Sequence, residues 1–293
     1  MKLDLIGIGE AMIELYAAEK LGVSRTLQKS YGGDVLNSLV HASRLGFTTG
    51  FITRVGNDPF GAALRQTWQT EGVDISQAPL VDGENGVYLI SLLEDGEREF
   101  TYRRANSAAS QLQPQDLESA YIRQSQMLLL SGITQAISSS AEATTLAAAQ
   151  IAKQHGVQVV FDPNYRPKLW AARGGLPSAQ AAARQLLPLV DILLPSSPTD
   201  LDVFAVPHSQ ALFDLAAVVA VKNGADGALV RHDQQIMAVP SVQGIVVDTT
   251  GAGDAWNAGF ITQILQHKNT LQAAQFANAL AAEKIKYRGA IPQ

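Results

Sequence analysis

The sequence predicts an α/β fold in which a mostly parallel central sheet is flanked by helices, together with a small additional β-sheet. Apolar runs without period-2 alternation recur along the chain, as expected for strands that are covered on both faces. Helical patterns separate these runs, and an order of strand, helix and strand is typical of parallel sheets. Two segments, 16–31 and 86–104, contain strand patterns without a helix between them and predict the additional sheet.

The predicted core strands are short and mostly apolar. They are 4–9, 50–55, 127–131, 157–161, 192–194, 217–222, 227–231 and 245–247. The helical patterns between them predict helices at 34–45, 140–155 and 252–265. The first two of these helices are followed by a glycine, Gly46 or Gly156, which is a common stop signal.

The additional sheet is expected to contain a β-hairpin. Its strands are Tyr88-Leu-Ile-Ser-Leu-Leu93 and Arg98-Glu-Phe-Thr-Tyr-Arg103, and Glu94-Asp-Gly-Glu97 forms the turn between them. An Asp-Gly pair between two strand patterns is typical of hairpin tips. Inserted into an α/β chain, this hairpin predicts a small sheet that stands off the main domain.

Composition excludes several classes of function. The chain has 293 residues, 46% hydrophobic and 17% charged, which is sufficient for a packed core. The formal net charge is −5 and there is no long Lys/Arg run, so no electrostatic footprint of a nucleic-acid or anionic-membrane surface exists. Cysteine is absent, which excludes thiol catalysis. Asp4 and Glu10 interrupt the apolar amino-terminal stretch, so we expect a soluble, cytoplasmic protein without a secretory signal.

The sharpest chemical feature is Asp248-Thr-Thr-Gly-Ala-Gly-Asp254, between a predicted strand and a predicted helix. Gly251 and Gly253 permit a tight turn whose backbone N–H groups point outward at the helix N-terminus, an arrangement that favours an anion. A carboxylate beside a phosphate would repel it, unless Asp254 takes a proton from a hydroxyl that attacks the phosphate. The motif therefore predicts phosphoryl transfer, and the alternative is a glycine turn with a structural aspartate.

A second polar group lies at the start of the first predicted helix. Gly32 and Gly33 would let the backbone approach a ligand, and Asp34 and Asn37 lie one turn apart on one helix face. A plain N-cap is the alternative role for Asp34.

A third polar group follows the predicted strand 157–161. Asn164 and Arg166 lie just beyond this strand, and ligands of open α/β sheets bind beyond the carboxyl ends of strands. The alternative for Arg166 is a surface side chain that packs its stem against the protein.

The predicted hairpin carries aromatic and cationic side chains. Tyr88 lies on its first strand, and Tyr102, Arg103 and Arg104 lie on its second. Neighbouring residues of a strand point to opposite faces, so only one of the two arginines can face a ligand. Because arginine suits bidentate recognition of a carboxylate, the hairpin is a candidate site for an anionic substrate.

This combination resembles the ribokinase-like (pfkB-type) carbohydrate kinases. The resemblance rests on Gly32-Gly33 with Asn37 and Leu45-Gly46, on Arg54-Val-Gly-Asn-Asp-Pro-Phe-Gly61, on Lys222-Asn-Gly-Ala-Asp-Gly227 and on the motif ending at Asp254. It implies a single kinase domain, 1–293, with a ribokinase-like core and a small β-sheet lid formed by about 14–32 and 86–106. Since a small sheet has open edges and an exposed face, we also expect a homo-oligomer, dimer or higher.

Within the family, the chain is similar to kinases of 2-keto-3-deoxygluconate. The segments that carry this similarity include Gly7-Ile-Gly-Glu10, Gly132-Ile-Thr-Gln-Ala-Ile-Ser138 and Asp162-Pro-Asn-Tyr-Arg-Pro-Lys-Leu-Trp170. The similarity implies ATP-dependent phosphorylation of this sugar acid to its 6-phosphate with Mg²⁺, and it leaves a monovalent cation open. A fructokinase or another hexose or keto-sugar kinase of the same family is the first alternative. A catalytically silent sugar-binding sensor is the second.

The resemblance also implies a role for individual residues. Asp254 would be the catalytic base, with Gly251, Ala252 and Gly253 as the anion hole. The residues implied to contact the sugar acid are Gly33, Asp34, Asn37, Tyr88, Tyr102, Arg104 and Arg166. Those implied to contact the nucleotide are Asn164, Ser196, Lys222, Gly224, Gly227 and Asn278. No metal ligand is predicted, because Ser196-Ser-Pro-Thr199 stands where relatives often have Asn-x-x-Glu.

Overall fold

The computed structural model describes residues 2–93 and 98–292. The strands, in chain order, are β1 (Leu3–Ile8), β2 (Met12–Ala17), β3 (Gln28–Gly32), β4 (Thr49–Ile52), β5 (Val55–Gly56), β6 (Val73–Asp74), β7 (Leu80–Val81), β8 (Gly86–Leu92), β9 (Arg98–Arg103), β10 (Ser125–Ser131), β11 (Gln158–Asp162), β12 (Ile192–Leu193), β13 (Val218–Lys222), β14 (Ala228–His232) and β15 (Gln235–Val239). The α-helices are α1 (Asp34–Arg44), α2 (Gly61–Thr70), α3 (Ser119–Ile122), α4 (Gly132–Ile137), α5 (Ser139–Gln154), α6 (Pro167–Ala171), α7 (Leu176–Leu186), α8 (Ala252–Leu265) and α9 (Thr270–Lys284).

Within the described residues, the main sheet has nine strands in the order β15-β14-β13-β12-β11-β10-β1-β4-β6. Pairing is parallel from β6 to β13, and β13-β14-β15 are antiparallel. The chain order reverses at β1, which lies between β10 and β4. The carboxyl ends of parallel strands meet at one edge of the sheet, and ligands of such sheets bind at that edge beside the reversal point.

Both faces of the main sheet are covered, which explains the uninterrupted apolar runs. Along β10, Met127 and Leu129 belong to one apolar cluster, together with side chains from α1, α8 and α9. Leu128 and Leu130 alternate with them and belong to a second cluster on the opposite face, which includes side chains of α5. The predicted α/β class, with a mostly parallel sheet between helices, is confirmed.

A smaller sheet of four strands lies apart from the main one, in the order β3-β2-β8-β9. β2 pairs with β8 in parallel, whereas β3 and β9 pair with their neighbours in antiparallel. In the β8–β9 pair, Tyr88 lies opposite Tyr102 and Leu92 lies opposite Arg98. The predicted turn Glu94–Glu97 lies outside the described residues.

One predicted strand is absent from the structure, and the strands β6, β7 and β15 were not predicted. Residues 245–247 are not a strand: they belong to a connection in which Ile245 is 76% exposed. The prediction was wrong because an apolar run was taken as evidence of burial, which a run alone does not establish. β15 was missed since its side chains are mostly exposed, as expected for an edge strand. Among the described residues, no helix is both long and apolar enough to cross a membrane.

We expect Trp68→Ala to lower the free energy of unfolding by about 3–5 kcal/mol, as is typical when a large aromatic side chain is removed from a core. Trp68 is 1% exposed, and its ring packs edge-on against Phe51 with centroids 5.5 Å apart. Urea unfolding monitored by far-UV circular dichroism measures the change. Gln69→Ala, an exposed position next to it on α2, is the control and should change stability by less than about 0.5 kcal/mol.

Candidate active site

A cavity of about 720 Å³ lies between the carboxyl edge of the main sheet and the smaller sheet. The sequence-predicted residues that line it are Gly33, Asp34, Asn37, Tyr88, Tyr102, Arg104, Asn164, Arg166, Ser196, Lys222, Gly251, Gly253 and Asp254. A second cavity of about 320 Å³ adjoins it, and the predicted residues Gly224, Gly227, Ala252 and Asn278 line that one. Lys222 and Gly253 line both cavities, so the two spaces meet at these residues.

The turn before α8 brings backbone amides and a carboxylate to the floor of the larger cavity. Gly251 is the N-cap of α8 with φ 75°, in the left-handed region that favours glycine. A Cβ atom there would lie 2.8 Å from the Cα atom of Ala290, so the position also requires a residue without a side chain. Asp254 is in the first turn of the helix. The free amides of this helix end favour an anion beside the Asp254 carboxylate.

The Asp254 carboxylate has the properties of a base that works near neutral pH. Burial raises its pKa to about 7, the carboxylates of Asp162 and Asp34 add to the increase, and a hydrogen bond from Asn37 opposes it. The Nδ2 atom of Asn37 donates to Oδ2 of Asp254 at 2.7 Å, which fixes the orientation of the carboxylate. Oδ1 of Asn37 in turn accepts from the Gly33 amide at 3.0 Å.

Asp34 offers an unused acceptor to the same cavity. It is the first residue of α1, and the N-cap is Gly33, so the alternative role of Asp34 as a plain N-cap is wrong. Oδ1 of Asp34 is buried and has no hydrogen-bond partner among the described residues. A buried carboxylate oxygen without a partner is costly, and a hydroxyl group of a ligand would satisfy it.

The smaller sheet supplies the opposite wall of the cavity. The rings of Tyr88 and Tyr102 stack with centroids 6.0 Å apart, and the Arg104 guanidinium lies over the Tyr102 ring at 5.6 Å. Arg104 also forms an ion pair with Glu10. The Tyr88 hydroxyl donates to Oε2 of Glu14 at 2.5 Å. Aromatic faces and an arginine thus face the carboxylates of the main sheet across the cavity.

Lys222 provides a buried positive charge where the two cavities meet. Its Nζ atom lies 2.7 Å from Oδ2 of Asp162 and 2.9 Å from Oδ1 of Asn257. Nδ2 of Asn257 donates to the same Asp162 oxygen at 2.6 Å. Asp162 and Lys222 end strands β11 and β13, so the parallel register brings them to one edge. The cluster places an ammonium group near the amides of the α8 turn.

The loop after β12 holds Ser196 through a carboxylate that does not line either cavity. Asp200 is fully buried, and it accepts from the amides of Ser196 at 2.6 Å and of Tyr165 at 2.8 Å. In the described part of the chain, no group of three or more His, Asp and Glu side chains is arranged to hold a metal ion. The side chains present therefore do not form a protein cage for Mg²⁺.

Asn278 lines the second cavity, but its amide is used within the protein. Its oxygen accepts from Nε1 of Trp256 at 2.8 Å, and its nitrogen donates to the carbonyls of Val239 and Pro240. Most other residues around this cavity are glycine or apolar. Such a space suits a flat, weakly polar group rather than a charged one.

Arg166 lies on the rim of the larger cavity and is exposed. Its Nη1 atom donates to the carbonyl of Tyr165, and it forms no ion pair within residues 2–93 and 98–292. Its charge is therefore available to an anion.

Sequence reasoning missed several residues that line or support the site. Arg98 and Phe100 line the larger cavity on the same face of β9 as Tyr102, and a period-2 count along this strand would have found both. Glu10 lines the cavity as well, at 1% exposure. Asn257 lies three residues after Asp254, one helical turn away, and this spacing was the available signal.

The arrangement is chemically suited to transfer of an anionic group to a hydroxyl. Donors for an anion, a buried ammonium group and a carboxylate with a pKa near 7 converge on one cavity that is large enough for a sugar-sized ligand. The apolar second cavity is open to the same point.

Comparison with known proteins agrees with this geometry. The profile of the pfkB family carbohydrate kinases matches residues 2–293. A 2-dehydro-3-deoxygluconokinase of Haemophilus influenzae is 34% identical, over 97% of this chain and 94% of the relative. A 2-dehydro-3-deoxygalactonokinase of Haloferax volcanii is 31% identical, over 99% of this chain and 93% of the relative. A candidate ribokinase II of Escherichia coli, solved in complex with ATP and Mg²⁺, superposes with a TM-score of 0.87 at 25% identity, covering 99% of this chain and 94% of that one. The chain therefore belongs to the pfkB family of carbohydrate kinases.

Proposed function

We propose that the protein is an ATP-dependent kinase that phosphorylates 2-keto-3-deoxygluconate at its C6 hydroxyl, which gives the 6-phosphate. The observation that carries the proposal is the Asp254 carboxylate, held by Asn37 next to the amides of the α8 turn. Relatives named 2-dehydro-3-deoxygluconokinase match nearly the whole chain and support the choice of substrate. 2-Dehydro-3-deoxygluconate is another name for 2-keto-3-deoxygluconate.

In the proposed mechanism, the sugar hydroxyl lies between Asp254 and the γ-phosphate. Asp254 accepts the hydroxyl proton as the oxygen bonds to phosphorus, and the bond from phosphorus to the leaving ADP oxygen breaks. The amides of Gly251, Ala252 and Gly253 donate to the phosphoryl oxygens, whose charge they stabilise. Lys222 contributes positive charge to the phosphates. Mg²⁺, when bound, would neutralise phosphate charge, and no protein ligand is assigned to it.

The two cavities divide the substrates in this proposal. The apolar second cavity, with Gly224, Gly227 and Asn278 in its walls, takes the base and ribose of ATP. Asn164 and Ser196 lie on the phosphate side, in the larger cavity. Because Asn278 uses its amide within the protein, we assign it a role in shaping the cavity rather than in donating to the base.

The sugar acid occupies the larger cavity, where different residues bind its carboxylate and its hydroxyl groups. Arg166 and Arg104 hold the carboxylate, while Asp34 accepts from a sugar hydroxyl through its unpartnered oxygen. The stacked rings of Tyr88 and Tyr102 cover the apolar face of the sugar. A neutral ketose would leave the charge of Arg166 without a partner, whereas Arg104 keeps its ion pair with Glu10.

We further propose that the smaller sheet acts as a lid. It forms one wall of the cavity, so its approach to the main sheet would exclude water from the reacting hydroxyl. A homo-oligomer through this sheet and a cytoplasmic location remain predictions of the sequence, which also leaves a monovalent cation open.

A panel assay of ADP release tests the function directly. The panel contains 2-keto-3-deoxygluconate, its galactonate epimer, fructose and ribose, since the relatives include a 2-dehydro-3-deoxygalactonokinase. The proposal requires the highest kcat/KM on 2-keto-3-deoxygluconate. A preference for fructose would favour the alternative kinase, and no ADP release with any sugar would favour the silent sensor.

We expect Asp254→Asn to reduce kcat by about 10²–10⁴-fold, because this nearly isosteric change removes only the base. Nucleotide affinity, measured by calorimetry, should stay within about twofold, since the amides of the turn remain. Retention of more than about a tenth of the wild-type kcat would contradict a general-base role for Asp254.

The pKa of Asp254, raised to about 7, predicts the pH dependence of catalysis. A base acts in its deprotonated form, so kcat/KM should fall about tenfold per pH unit below this pKa and level off above it. A pH series with excess coupling enzymes and a parallel test of enzyme stability measures the profile. A profile that is flat from about pH 5.5 to 8 would show that Asp254 does not titrate in this range or is not the base.

Arg166→Leu separates a sugar acid from a neutral sugar. Charge-assisted hydrogen bonds contribute about 1.5–3 kcal/mol each, so we expect kcat/KM on 2-keto-3-deoxygluconate to fall about ten- to a hundredfold. Activity on fructose, where it is detectable, should fall much less. The control is Arg103→Ala, because Arg103 is exposed and donates to the carbonyl of Tyr102 instead of lining the cavity. Equal losses on both sugars would mean that Arg166 acts on the phosphates or on the fold.

A further inference from the structure

One motif of the sequence has no part in the mechanism above. It is the segment Val55-Gly-Asn-Asp-Pro-Phe-Gly61, which runs from β5 to the first residue of α2 and lies outside the residues that line the larger cavity. The segment packs instead against residues 83–85, which lead into β8. We call the contact between Gly56, Asp58, Gly61 and Asn85 the root clamp.

Asp58 is the centre of the root clamp. Its Oδ2 atom accepts from the backbone amide of Asn85 at 2.8 Å, and its Oδ1 atom accepts from the side-chain amide of Asn85 at 2.8 Å. The same Oδ1 accepts from the amides of Phe60 and Gly61 at 2.9 and 3.0 Å, at the start of α2. One carboxylate therefore ties a helix of the main domain to the start of a strand of the smaller sheet.

Asn85 completes the contact from the other side. Its Oδ1 atom accepts from the amide of Gly56 at 2.9 Å, and its Nδ2 atom donates to the carbonyl of Gly56 at 3.0 Å. A side chain that pairs with both the N–H and the C=O of one residue imitates a strand neighbour. Asn85 is 9% exposed, so water competes little for these bonds.

The two glycines of the segment make this close approach possible. A Cβ atom on Gly56 would lie 2.6 Å from the carbonyl carbon of Glu84, and one on Gly61 would lie 2.0 Å from the carbonyl oxygen of Gly56. Both distances are far below van der Waals contact, and both involve backbone. The sequence Gly-x-x-x-x-Gly around Asp58 is thus required by the packing of the clamp.

The clamp lies where the β8–β9 pair joins the main domain, next to the start of β8 and the exit from β9. Asn85 directly precedes β8, and Tyr88 follows it by three residues. After β9, the amide of Ala108 donates to the carbonyl of Glu84 at 2.8 Å, so the chain leaves the smaller sheet beside the point where β8 enters it. The wall formed by Tyr88, Tyr102 and Arg104 therefore extends from one fixed root.

We propose that Asp58 and Asn85 are positioning residues for phosphoryl transfer: they fix the root from which β8 and β9 carry the sugar-binding side chains over the acceptor site. The inference rests on the proposed function, because it requires that the smaller sheet closes over the sugar. A rigid root limits the smaller sheet to a few orientations. Less of the binding free energy of the sugar is then needed to order this sheet over the site. Loss of the clamp should affect sugar binding and water exclusion, and leave the nucleotide cavity unchanged.

Asp58→Asn is the principal test. The variant keeps an oxygen for the amides of Phe60 and Gly61, but it directs an NH₂ group at the amide of Asn85, where the carboxylate accepted a hydrogen bond. We expect KM for 2-keto-3-deoxygluconate to rise about tenfold, while KM for ATP stays within about twofold. Because the lid would exclude water less well, ATP hydrolysis per sugar phosphorylated should also rise. Asn85→Ala removes the partner side chain and should give the same pattern.

Asp74→Asn is the matched control. Asp74 is another acceptor in the main domain, at the end of β6, and its Oδ1 atom accepts from the amide of Ser76 at 3.1 Å and from the Tyr121 hydroxyl at 2.9 Å. It has no contact with the smaller sheet in the hydrogen bonds of the described residues. This variant should lower thermal stability by an amount similar to Asp58→Asn, with both KM values unchanged.

The outcomes separate the clamp from the proposed function. If wild-type enzyme phosphorylates the sugar acid and Asp58→Asn and Asn85→Ala change only thermal stability, the positioning role is overturned. Equal increases in both KM values would also overturn it, since they indicate general loosening of the fold. If wild-type enzyme prefers a neutral sugar, the proposed substrate fails, and the clamp is then tested with that sugar by the same ratio of KM values.

Discussion

The parallel register of the main sheet is the constraint on which the site depends. β1, β10, β11 and β13 end at the same edge of the sheet, so the strand pairing alone brings residues that are far apart in sequence together there. Asp162, at the end of β11, is held by Lys222 at the end of β13 and by Asn257 on α8. Removing one partner of such a buried pair costs about 3–5 kcal/mol in other proteins, since an uncompensated charge stays behind. The fold and the charge balance of the cavity are therefore set by the same contacts.

Negative charge is concentrated in this cavity to an extent that needs compensation. Burial raises the pKa of Asp34 and of Asp254, the neighbouring Asp162 carboxylate adds to both increases, and Asp34 adds to the increase at Asp254. A phosphate would be repelled by three carboxylates in isolation. Lys222, the amides of the α8 turn and the amide of Asn37 offset this repulsion on the side of the turn. Asp254 lies in the first turn of the helix that carries these amides, and this position supports the proposal that it is the base.

Sequence patterns predicted the main sheet and the glycine turn well, because both depend on local signals. The run Met127–Leu130 and the helix from Ala252 are specified by apolar content and by glycine positions within a few residues. Patterns failed where long-range contacts decide the outcome. The apolar stretch 245–247 is exposed beside the cavities, and no local signal distinguishes it from a buried strand. The role of Glu10 depends on its ion pair with Arg104, which is 94 residues away in the chain. Only the pairing of β2, β8 and β9 brings these two residues together.

The same ion pair also distinguishes the two arginines of the proposed sugar site. Glu10, at 1% exposure, compensates the charge of Arg104, and its Oε1 atom also accepts from the hydroxyl of Ser107 at 3.1 Å. Arg104 is therefore held in place, but it adds little net positive charge to the cavity. Arg166 has no such partner among the described ion pairs and stands at the rim. In a cavity lined by Glu10 and by three aspartates, attraction of an anionic sugar must come mainly from the uncompensated charge. We therefore propose that Arg166 draws the carboxylate in, and that Arg104, fixed by Glu10 and stacked on Tyr102, determines its orientation.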